Sequence, residues 1–462
     1  MLSALNVREE MAQAIELLHA ATSFYTSEPI VERLLDLVDW PAPGSRLVDP
    51  SCGDGAFLGA ALRRLLASAP DIDDDLIVHV LQGWEIHYFA AAEARNALAQ
   101  ILVKKGRPEG RAHLLAQRMV VHGDFLIQGP TAPEFDLVCG NPPFLRYVNV
   151  PAILRTEYER TVPDYSQRDM LHTFIDRCTS VLRPGGEIAL VTSDRWLFSQ
   201  CAAELRVVIG KRMGVHHLER LEATSAFYRP KNRRAGQPPR IHPVAVLLRE
   251  SALCDVSLTK DPLYPDADDG PYRDCVPLEQ VANVRLCPWL GRHGLFVIDA
   301  ATADAAGIPR DMLVPAIDTD NIKGGVLSPS TKFAIRTQRN VEPPEAVIRH
   351  LELNMHLLAK TKVRKTQRWL PPESFERMSL DQPSLLIPRI ASGLKPVRIP
   401  PGILPLDHGL SIVTAGSMSL DDLEAALSRP ESEAWVRARA PRLENNFVSL
   451  TTKLLRSLPI KL

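Results

Sequence analysis

Strand-like and helix-like segments alternate along this chain from Arg46 to about residue 250, and this rhythm limits the folds open to it. Such alternation predicts an α/β fold, a mostly parallel sheet with helices on both faces. A long loop without a helix separates the last two strands, which predicts an antiparallel hairpin at one edge. The predicted strands are 46–50, one within 75–84, 118–122, 135–139, 187–192, 215–221 and 242–248, and the predicted helices are 56–67, 87–104, 169–182 and 196–213.

The rhythm is lost after about residue 250. Proline becomes frequent, turn pairs such as Pro265-Asp266 and Asp269-Gly270 appear, and the apolar runs are short. A length of 462 residues suggests two or three domains at roughly 150 residues each. We therefore predict one α/β domain over residues 1–250 and a second, mixed α+β domain over residues 251–462.

Composition limits the partners and the compartment. The 54 Lys and Arg balance 55 Asp and Glu, so nucleic-acid binding would need local basic patches. No signal peptide and no run of about 18 apolar residues is visible. The seven cysteines form no C-x-x-C pair, which argues against a zinc site and for a reducing compartment. We expect a cytoplasmic protein with no metal.

The sequence Asn141-Pro142-Pro143-Phe144 directly follows the predicted strand 135–139. Two consecutive prolines exclude a helix and leave their carbonyls unpaired, because neither residue can donate a hydrogen bond. An amide and an aromatic ring flank this rigid corner. It has the chemistry to hold a planar aromatic amine by its hydrogens and to cover its flat face, although Pro-Pro after a strand is also a common chain reversal.

A glycine-containing turn follows the first predicted strand. Gly53 and Gly55 allow the backbone to turn tightly and to approach a ligand closely. The third glycine of the dinucleotide-binding motif is missing, and Asp54 would repel a phosphate. A ligand with a ribose and a cationic or zwitterionic end fits this turn better.

Acidic residues follow the next two strands. Glu85 ends the second strand, where a carboxylate can accept both ribose hydroxyls. Asp124 follows the third strand, placed to accept from an adenine amino group, and Phe125 beside it can stack on the base. Because the carboxyl ends of parallel strands meet at one edge, these residues predict a nucleotide site there.

The residues 49–58 (Asp-Pro-Ser-Cys-Gly-Asp-Gly-Ala-Phe-Leu) and 141–144 resemble motifs I and IV of class I S-adenosylmethionine-dependent methyltransferases acting on DNA adenine. Residues 22–29 (Thr-Ser-Phe-Tyr-Thr-Ser-Glu-Pro) resemble motif X of that family and precede motif I. This motif order is similar to that of the gamma subclass, the Eco57I-like and TaqI-like modification enzymes. The resemblance extends over residues 20–250.

The resemblance implies a Rossmann-like catalytic domain that binds S-adenosylmethionine, followed by a target-recognition domain. Three positions depart from the usual pattern, namely Asp54, His87 and Phe144, and we expect His87 at the surface. The implied catalytic residues are Asn141, Pro142, Pro143 and Phe144, and the implied cofactor-binding residues are Tyr25, Thr26, Asp49, Ser51, Cys52, Gly53, Gly55, Glu85, Asp124, Phe125 and Phe174.

The corner then has a defined chemical task. The adenine amino lone pair is delocalised into the ring, and acceptors at Asn141 and the Pro142 carbonyl would free it for attack on a sulfonium methyl. The base must first leave the duplex. By resemblance to motif VIII, Phe227 supports the flipped base, with Tyr228 as the competing candidate. Cys139 lacks the context of a cytosine-C5 nucleophile and is interpreted as a buried small residue.

Three local basic clusters are candidates for contacts with double-stranded DNA. One is the segment 145–168, which carries Arg146, Arg155, Arg160 and Arg168, and the others flank Phe227 and occupy residues 360–369. Phosphate contacts position a duplex and do not read its sequence. The binding residues predicted in the last two clusters are Arg229, Lys231, Arg233, Arg234, Lys362, Arg364 and Lys365.

The leading hypothesis is a site-specific adenine-N6 DNA methyltransferase of a restriction–modification or phage-defence system, in a bacterial or archaeal cytoplasm near the nucleoid. A separately encoded restriction endonuclease is the expected partner. One alternative is a methyltransferase that uses the same corner on RNA guanine or protein glutamine. Another is a catalytically silent DNA-binding subunit.

Overall fold

A computed structural model describes residues 2–228, 242–323, 325–358, 369–416, 418–443 and 447–461. The chain divides into two compact units, Met1–Pro265 and Asp266–Leu462. This division lies beyond the predicted boundary near residue 250. The reason is that Val256 pairs with Val215 at the edge of the first sheet, and Leu258 is buried in the first unit's core.

The first unit contains ten strands and twelve α-helices within its described residues. The strands are β1 Tyr25–Thr26, β2 Leu47–Asp49, β3 Leu81–Glu85, β4 Val120–His122, β5 Phe135–Gly140, β6 Leu182–Ser193, β7 Met213–Arg220, β8 Phe227–Tyr228, β9 Pro243–Glu250 and β10 Val256–Ser257. The helices are α1 Leu2–Thr22, α2 Glu28–Asp36, α3 Ala56–Ser68, α4 Asp74–Val80, α5 Tyr88–Lys104, α6 Glu109–Met119, α7 Phe125–Gln128, α8 Ala152–Thr161, α9 Met170–Val181, α10 Arg195–Phe198, α11 Ala203–Gly210 and α12 Ala223–Ala226.

The central sheet has eight strands in the order β10-β7-β9-β6-β5-β2-β3-β4. Strands β4, β3, β2, β5 and β6 are parallel, which confirms the predicted α/β class. Strand β9 runs antiparallel between β6 and β7, so the predicted hairpin forms and inserts its second strand next to β6.

Helices cover both faces of this sheet. Neighbouring strand residues pack into two different cores, Leu47 with the helices on one side and Val48 with those on the other. The same alternation recurs along β6, where Ala189 and Ile188 face opposite cores. This two-residue period is the signature of a strand buried on both faces.

Two helices that the sequence pattern does not predict precede strands β3 and β4. Helix α4 precedes β3 because the Asp73 side chain accepts hydrogen bonds from the backbone N–H groups of Asp75 and Leu76 and starts a helix. Helix α6 likewise occupies residues in front of β4. The predicted helix 196–213 is interrupted at Ser199, whose carbonyl, like that of Trp196, accepts from the buried Arg206 guanidinium.

The second unit is a mixed α+β assembly with its own cores. Its two four-stranded sheets have the orders β12-β22-β18-β20 and β13-β17-β14-β21. No described helix of the chain is long and apolar enough to span a membrane. The strands are β11 Val276–Pro277, β12 Ala282–Leu286, β13 Val297–Asp299, β14 Leu313–Ile317, β15 Ile322–Lys323, β16 Val326–Leu327, β17 Lys332–Ile335, β18 Ser384–Pro388, β19 Ile390–Ala391, β20 Val397–Ile399, β21 Leu404–Pro405, β22 Gly409–Thr414, β23 Val448–Ser449 and β24 Pro459–Ile460, and the helices are α13 Ala300–Ala306, α14 Glu345–Asn354, α15 Leu420–Leu427, α16 Pro430–Arg439 and α17 Thr452–Arg456.

Candidate active site

Four polar residues meet at the carboxyl edge of the central sheet. Asp49 ends β2 and Glu85 ends β3, while Asp124 lies two residues after β4 and Asn141 directly follows β5. These strands are neighbours in the sheet and parallel, so their ends open onto one cleft of about 820 Å³, including its open mouth. The strand order therefore brings these four polar side chains into one pocket.

Most of the predicted site residues line this cleft. Gly55 does not; it adopts a φ of 89° at the start of α3, where its backbone packs against Ala94. Pro142 is buried beside the cleft and Phe144 is half-buried there. The predicted residues that line the cleft are Tyr25, Thr26, Asp49, Ser51, Cys52, Gly53, Glu85, Asp124, Phe125, Asn141, Pro143 and Phe174.

The Glu85 carboxylate fixes the glycine turn. Its Oε2 accepts from the Gly53 backbone N–H at 2.9 Å and its Oε1 from the His87 N–H at 2.8 Å. Gly53 has room for no side chain, because a Cβ would lie 2.6 Å from a ring carbon of Tyr25. Burial, with a smaller contribution from the Asp124 charge, raises the pKa of Glu85 to about 7.

Asp49 is buried at the end of β2 and accepts from the Ser51 N–H at 3.0 Å. Burial raises its pKa to about 8, helped by the nearby charges of Glu85 and Asp54. Gly140 lies against the Asp49 side chain and has a φ of 152°. A Cβ at this position would lie only 2.5 Å from Asp49 Oδ1, so the contact requires glycine. The cleft therefore contains carboxyl groups that lack a cationic partner, since no Lys or Arg is among its lining residues in the described chain.

Asp124 starts α7 and is bonded at both carboxylate oxygens. Its Oδ1 accepts from the Leu126 N–H at 2.9 Å, and its Oδ2 accepts from the Tyr158 hydroxyl at 2.8 Å. Burial raises the pKa of Asp124. Nearby, the Phe125 and Phe174 rings lie 6.5 Å apart between centroids and within 11° of parallel, which is close to the roughly 7 Å needed for a third flat ring at van der Waals contact with both.

The side chain of Asn141 is oriented by the chain segment before β1. Its Nδ2 donates to the Phe24 carbonyl at 2.7 Å, which assigns the other amide atom as oxygen. That atom, Oδ1, is buried and has no hydrogen-bond partner among the described residues. Ser51 also donates to the Asn141 carbonyl, at 3.4 Å. The corner therefore presents one unused acceptor.

Three phenylalanine rings surround this corner. Phe227 lies 6.3 Å from Phe24 and 6.4 Å from Phe144, between ring centroids. The arrangement follows from pairing of β1 with β8, in which Thr26 is opposite Phe227 and the Ser27 hydroxyl donates to the Ser225 carbonyl at 2.7 Å. Tyr228 points elsewhere, because its hydroxyl donates to Asp54 and its ring packs on Tyr25.

Comparisons with known proteins find methylases of restriction-modification systems. Residues 95–227 match the Eco57I restriction-modification methylase family. The type II methyltransferase M.PaeR7I of Pseudomonas aeruginosa is 26% identical, over 96% of this chain and 86% of its own length. The chain is a DNA methyltransferase that is similar to Eco57I-like methylases. Its similarity to M.XhoI of Xanthomonas vasicola, 29% identical, covers 47% of the chain and 44% of the relative.

A solved structure of the type IIL restriction-modification enzyme MmeI in complex with DNA shares the fold of this methylase. It superposes with a TM-score of 0.56 at 14% identity and covers 98% of this chain and 67% of the MmeI chain. The residues that superpose therefore come from both compact units.

The surface position expected for His87 in the methylase is wrong. His87 is buried, because its Nδ1 accepts from the Ala90 N–H at the start of α5 and its Nε2 contacts Glu16 at 2.9 Å. Its ring stacks on His19 of α1 with centroids 3.7 Å apart. His87 thus holds α1 beside the cleft, which Leu18 and His19 help to line.

The basic segment 145–168 of the methylase is only partly exposed. Helix α8 forms within it, with Tyr158 buried, and Tyr147 is buried in front of the helix. Arg155 and Arg160 form ion pairs with acidic residues of the same helix. Arg146 and Arg168 are exposed and have no ion pair with any described residue. The predicted residues Arg229, Lys231, Arg233, Arg234, Lys362, Arg364 and Lys365 lie outside the described residues.

Among the cleft residues that the sequence pattern does not predict, Phe24 and Tyr158 make main-chain and side-chain contacts to predicted site residues of the methylase. Phe24 contributes a backbone carbonyl and a ring, and Tyr158 contributes its hydroxyl to Asp124. The hydrogen bond to the Phe24 carbonyl cannot be predicted from the sequence, because every residue has a main-chain carbonyl. The burial of Tyr158 could be predicted, because Leu154 and Tyr158 are four residues apart and share the buried face of α8.

Proposed function

We propose that this DNA methyltransferase transfers a methyl group from S-adenosylmethionine to the N6 amino group of an adenine in double-stranded DNA, as the modification component of a restriction–modification system. The proposal rests foremost on one observation, the buried Asn141 Oδ1, which has no donor among the residues that the structure describes. The curated relatives named above are type II methyltransferases, and the MmeI structure is a complex with DNA.

The residues present fit S-adenosylmethionine. Bound there, it supplies an electrophilic methyl on a cationic sulfonium. The carboxylates of Asp49, Glu85 and Asp124 offer acceptors for ammonium, hydroxyl and amino donors in a cleft without Lys or Arg among its described lining. Thr26 Oγ1 is a further buried polar atom in this wall without a partner among the described residues. These groups are complementary to a cationic ligand rich in donors.

The corner fits an aromatic amine. A free buried acceptor costs about 1–3 kcal/mol when it stays unsatisfied, so Asn141 Oδ1 gains most from a substrate N–H. Accepting this hydrogen draws the amine nitrogen toward tetrahedral geometry and stabilises the positive charge that develops on it. Phe24, Phe144 and Phe227 form an apolar surround where a base out of its stack can lie.

The test is to incubate the protein with methyl-labelled S-adenosylmethionine and unmethylated genomic DNA, and to digest the product to nucleosides. We expect label in N6-methyladenine at one sequence context and none with Asn141→Ala. Label in N4-methylcytosine would overturn the choice of base. Label in RNA or protein instead of DNA would overturn the proposed substrate altogether.

A further inference from the structure

The segment that follows the catalytic corner reaches back to the cofactor side of the cleft. It leaves the corner at residue 145, forms α8, and places the Tyr158 hydroxyl 2.8 Å from Asp124 Oδ2. Helix α8 packs against α7, the helix that Asp124 starts, and against α1. A single side chain therefore joins the segment behind the corner to a predicted cofactor contact.

Tyr158 is the donor in this bond. It is fully buried, and its pKa lies well above the usual value because of burial and the adjacent Asp124 charge. The hydroxyl therefore keeps its proton and the carboxylate accepts. This bond opposes the effect of burial on the pKa of Asp124, which stays above its usual value overall, and so it favours the ionised carboxylate over the protonated one.

Both oxygens of Asp124 are thereby held from two directions, by Leu126 N–H at one and by Tyr158 at the other. An ionised carboxylate offers about four lone-pair sites, so acceptor capacity is left for a ligand in the cleft that Asp124 lines. In its ionised form, a fixed carboxylate accepts a hydrogen bond from an amino group. An oxo group at the same position has no hydrogen to donate and leaves the carboxylate unpaired. A site with such a buried polar group discriminates strongly between the two ligands.

We propose that Tyr158 is a positioning residue for the purine of the cofactor: it fixes Asp124 as an acceptor, makes the cleft select a 6-amino purine over a 6-oxo purine, and ties α8 to cofactor binding. This inference rests on the proposed use of an adenosyl cofactor. The role is distinct from that of Asp124 itself, since Tyr158 acts through the carboxylate.

The chain supplies a matched control. Tyr165, in the same segment, donates to the Asp176 carboxylate at 2.7 Å but does not line the cleft. Tyr158→Phe and Tyr165→Phe each remove one hydroxyl from a tyrosine–carboxylate bond and keep the ring. A general loss of packing or stability would affect both variants, whereas a positioning role would affect only the first.

Calorimetric titration with S-adenosylhomocysteine and its 6-oxo counterpart, S-inosylhomocysteine, tests the proposal without any turnover. We expect Tyr158→Phe to weaken S-adenosylhomocysteine binding about tenfold and to narrow the preference over the 6-oxo compound, while Tyr165→Phe behaves as the wild type. In an Asp124→Asn background, Tyr158→Phe should add little, because the shared contact is already lost. Hydrogen exchange of residues 152–161 should slow on ligand binding in the wild type and in Tyr165→Phe only.

Unchanged affinity and unchanged preference in Tyr158→Phe would overturn the inference while leaving the proposed function intact. Equal losses in the two variants would also overturn it, since they would show a general structural effect. Failure of the wild type to bind S-adenosylhomocysteine at all would instead refute the proposed function.

Discussion

Two walls of the cleft differ in how their polar atoms are satisfied. In the acidic wall, defined by Asp49, Glu85 and Asp124, each carboxylate already accepts at least one hydrogen bond from the protein. In the aromatic wall, defined by Asn141 with Phe24, Phe144 and Phe227, the Asn141 amide keeps a buried oxygen without a described partner. The acidic wall is organised before any ligand arrives, whereas the aromatic wall has an acceptor that no described residue satisfies. The first should respond to charge and pH, the second to shape.

The largest expected effect separates the walls completely. Asn141→Ala removes the unused acceptor, so methyl transfer should fall by about 10²–10³-fold or more, while S-adenosylhomocysteine binding stays near the wild-type value. Single-turnover rates and calorimetry measure the two quantities. The exposed Asn149 of the same segment is the control, and Asn149→Ala should change neither. Full transfer by Asn141→Ala would eliminate the proposed mechanism.

A substitution between the walls should damage both. Gly140→Ala places a Cβ 2.5 Å from Asp49 Oδ1, which is too close, and requires a φ that side chains rarely adopt. We expect cofactor binding to weaken by at least about tenfold, the cost of displacing a charged hydrogen-bonding group, together with slower transfer. Gly185 also has a positive φ but open space around it, so Gly185→Ala measures backbone strain alone. Equal effects at the two glycines would contradict the assigned contact.

Loss of one ring should affect only the aromatic wall. Phe227→Ala should weaken handling of the target base by roughly tenfold, since stacking on an aromatic side chain contributes about 1–3 kcal/mol per base. The measurement is the fluorescence increase of 2-aminopurine at the mapped target position. Tyr228→Phe, which removes only the bond to Asp54, should keep the full increase. A normal signal in Phe227→Ala would remove this residue from the base site.

The last effect is on stability and not on activity, and it concerns pH and the acidic wall. The pKa of Asp49 is about 8 in the folded protein, against the ordinary value of 3.8. Between pH 3.8 and pH 8 the folded state therefore keeps a proton on Asp49 that the unfolded state has lost. The stability of the ligand-free protein should therefore fall as pH rises from about 4 to about 8. Thermal unfolding of the wild type and Asp49→Asn across this range isolates the contribution. Parallel profiles would show that Asp49 is ionised in the folded protein.

Residues next to strand ends were the ones that sequence could place. Asp49, Glu85, Asp124 and Asn141 come together because each follows an apolar segment short enough to identify as a strand, and parallel strands share a carboxyl edge. Turn chemistry added Gly53, whose freedom from a side chain the Tyr25 ring requires. The central sheet was predictable for the same reason.

Contacts between distant segments were not predictable in this way. Asn141 bonds to a carbonyl 117 residues earlier in the chain, and a carbonyl is present at every position. The surface position predicted for His87 is wrong because Glu16 and His19 of helix α1 cover its ring. Helix α1 lies before the region in which strands and helices alternate, so the pattern does not predict it. The sequence pattern also gives no sign of helices α4 and α6, although the Asp73 side chain caps α4.

The buried acids of the cleft have a consequence for the heat of ligand binding. With pKa values of about 8 and about 7, Asp49 and Glu85 hold protons for part of the time near neutral pH. A ligand that brings positive charge and hydrogen-bond donors favours the ionised carboxylates, so protons must leave as it enters. The methylase should therefore release protons into solution on binding its cofactor, and the enthalpy measured by calorimetry should change with the ionisation heat of the buffer.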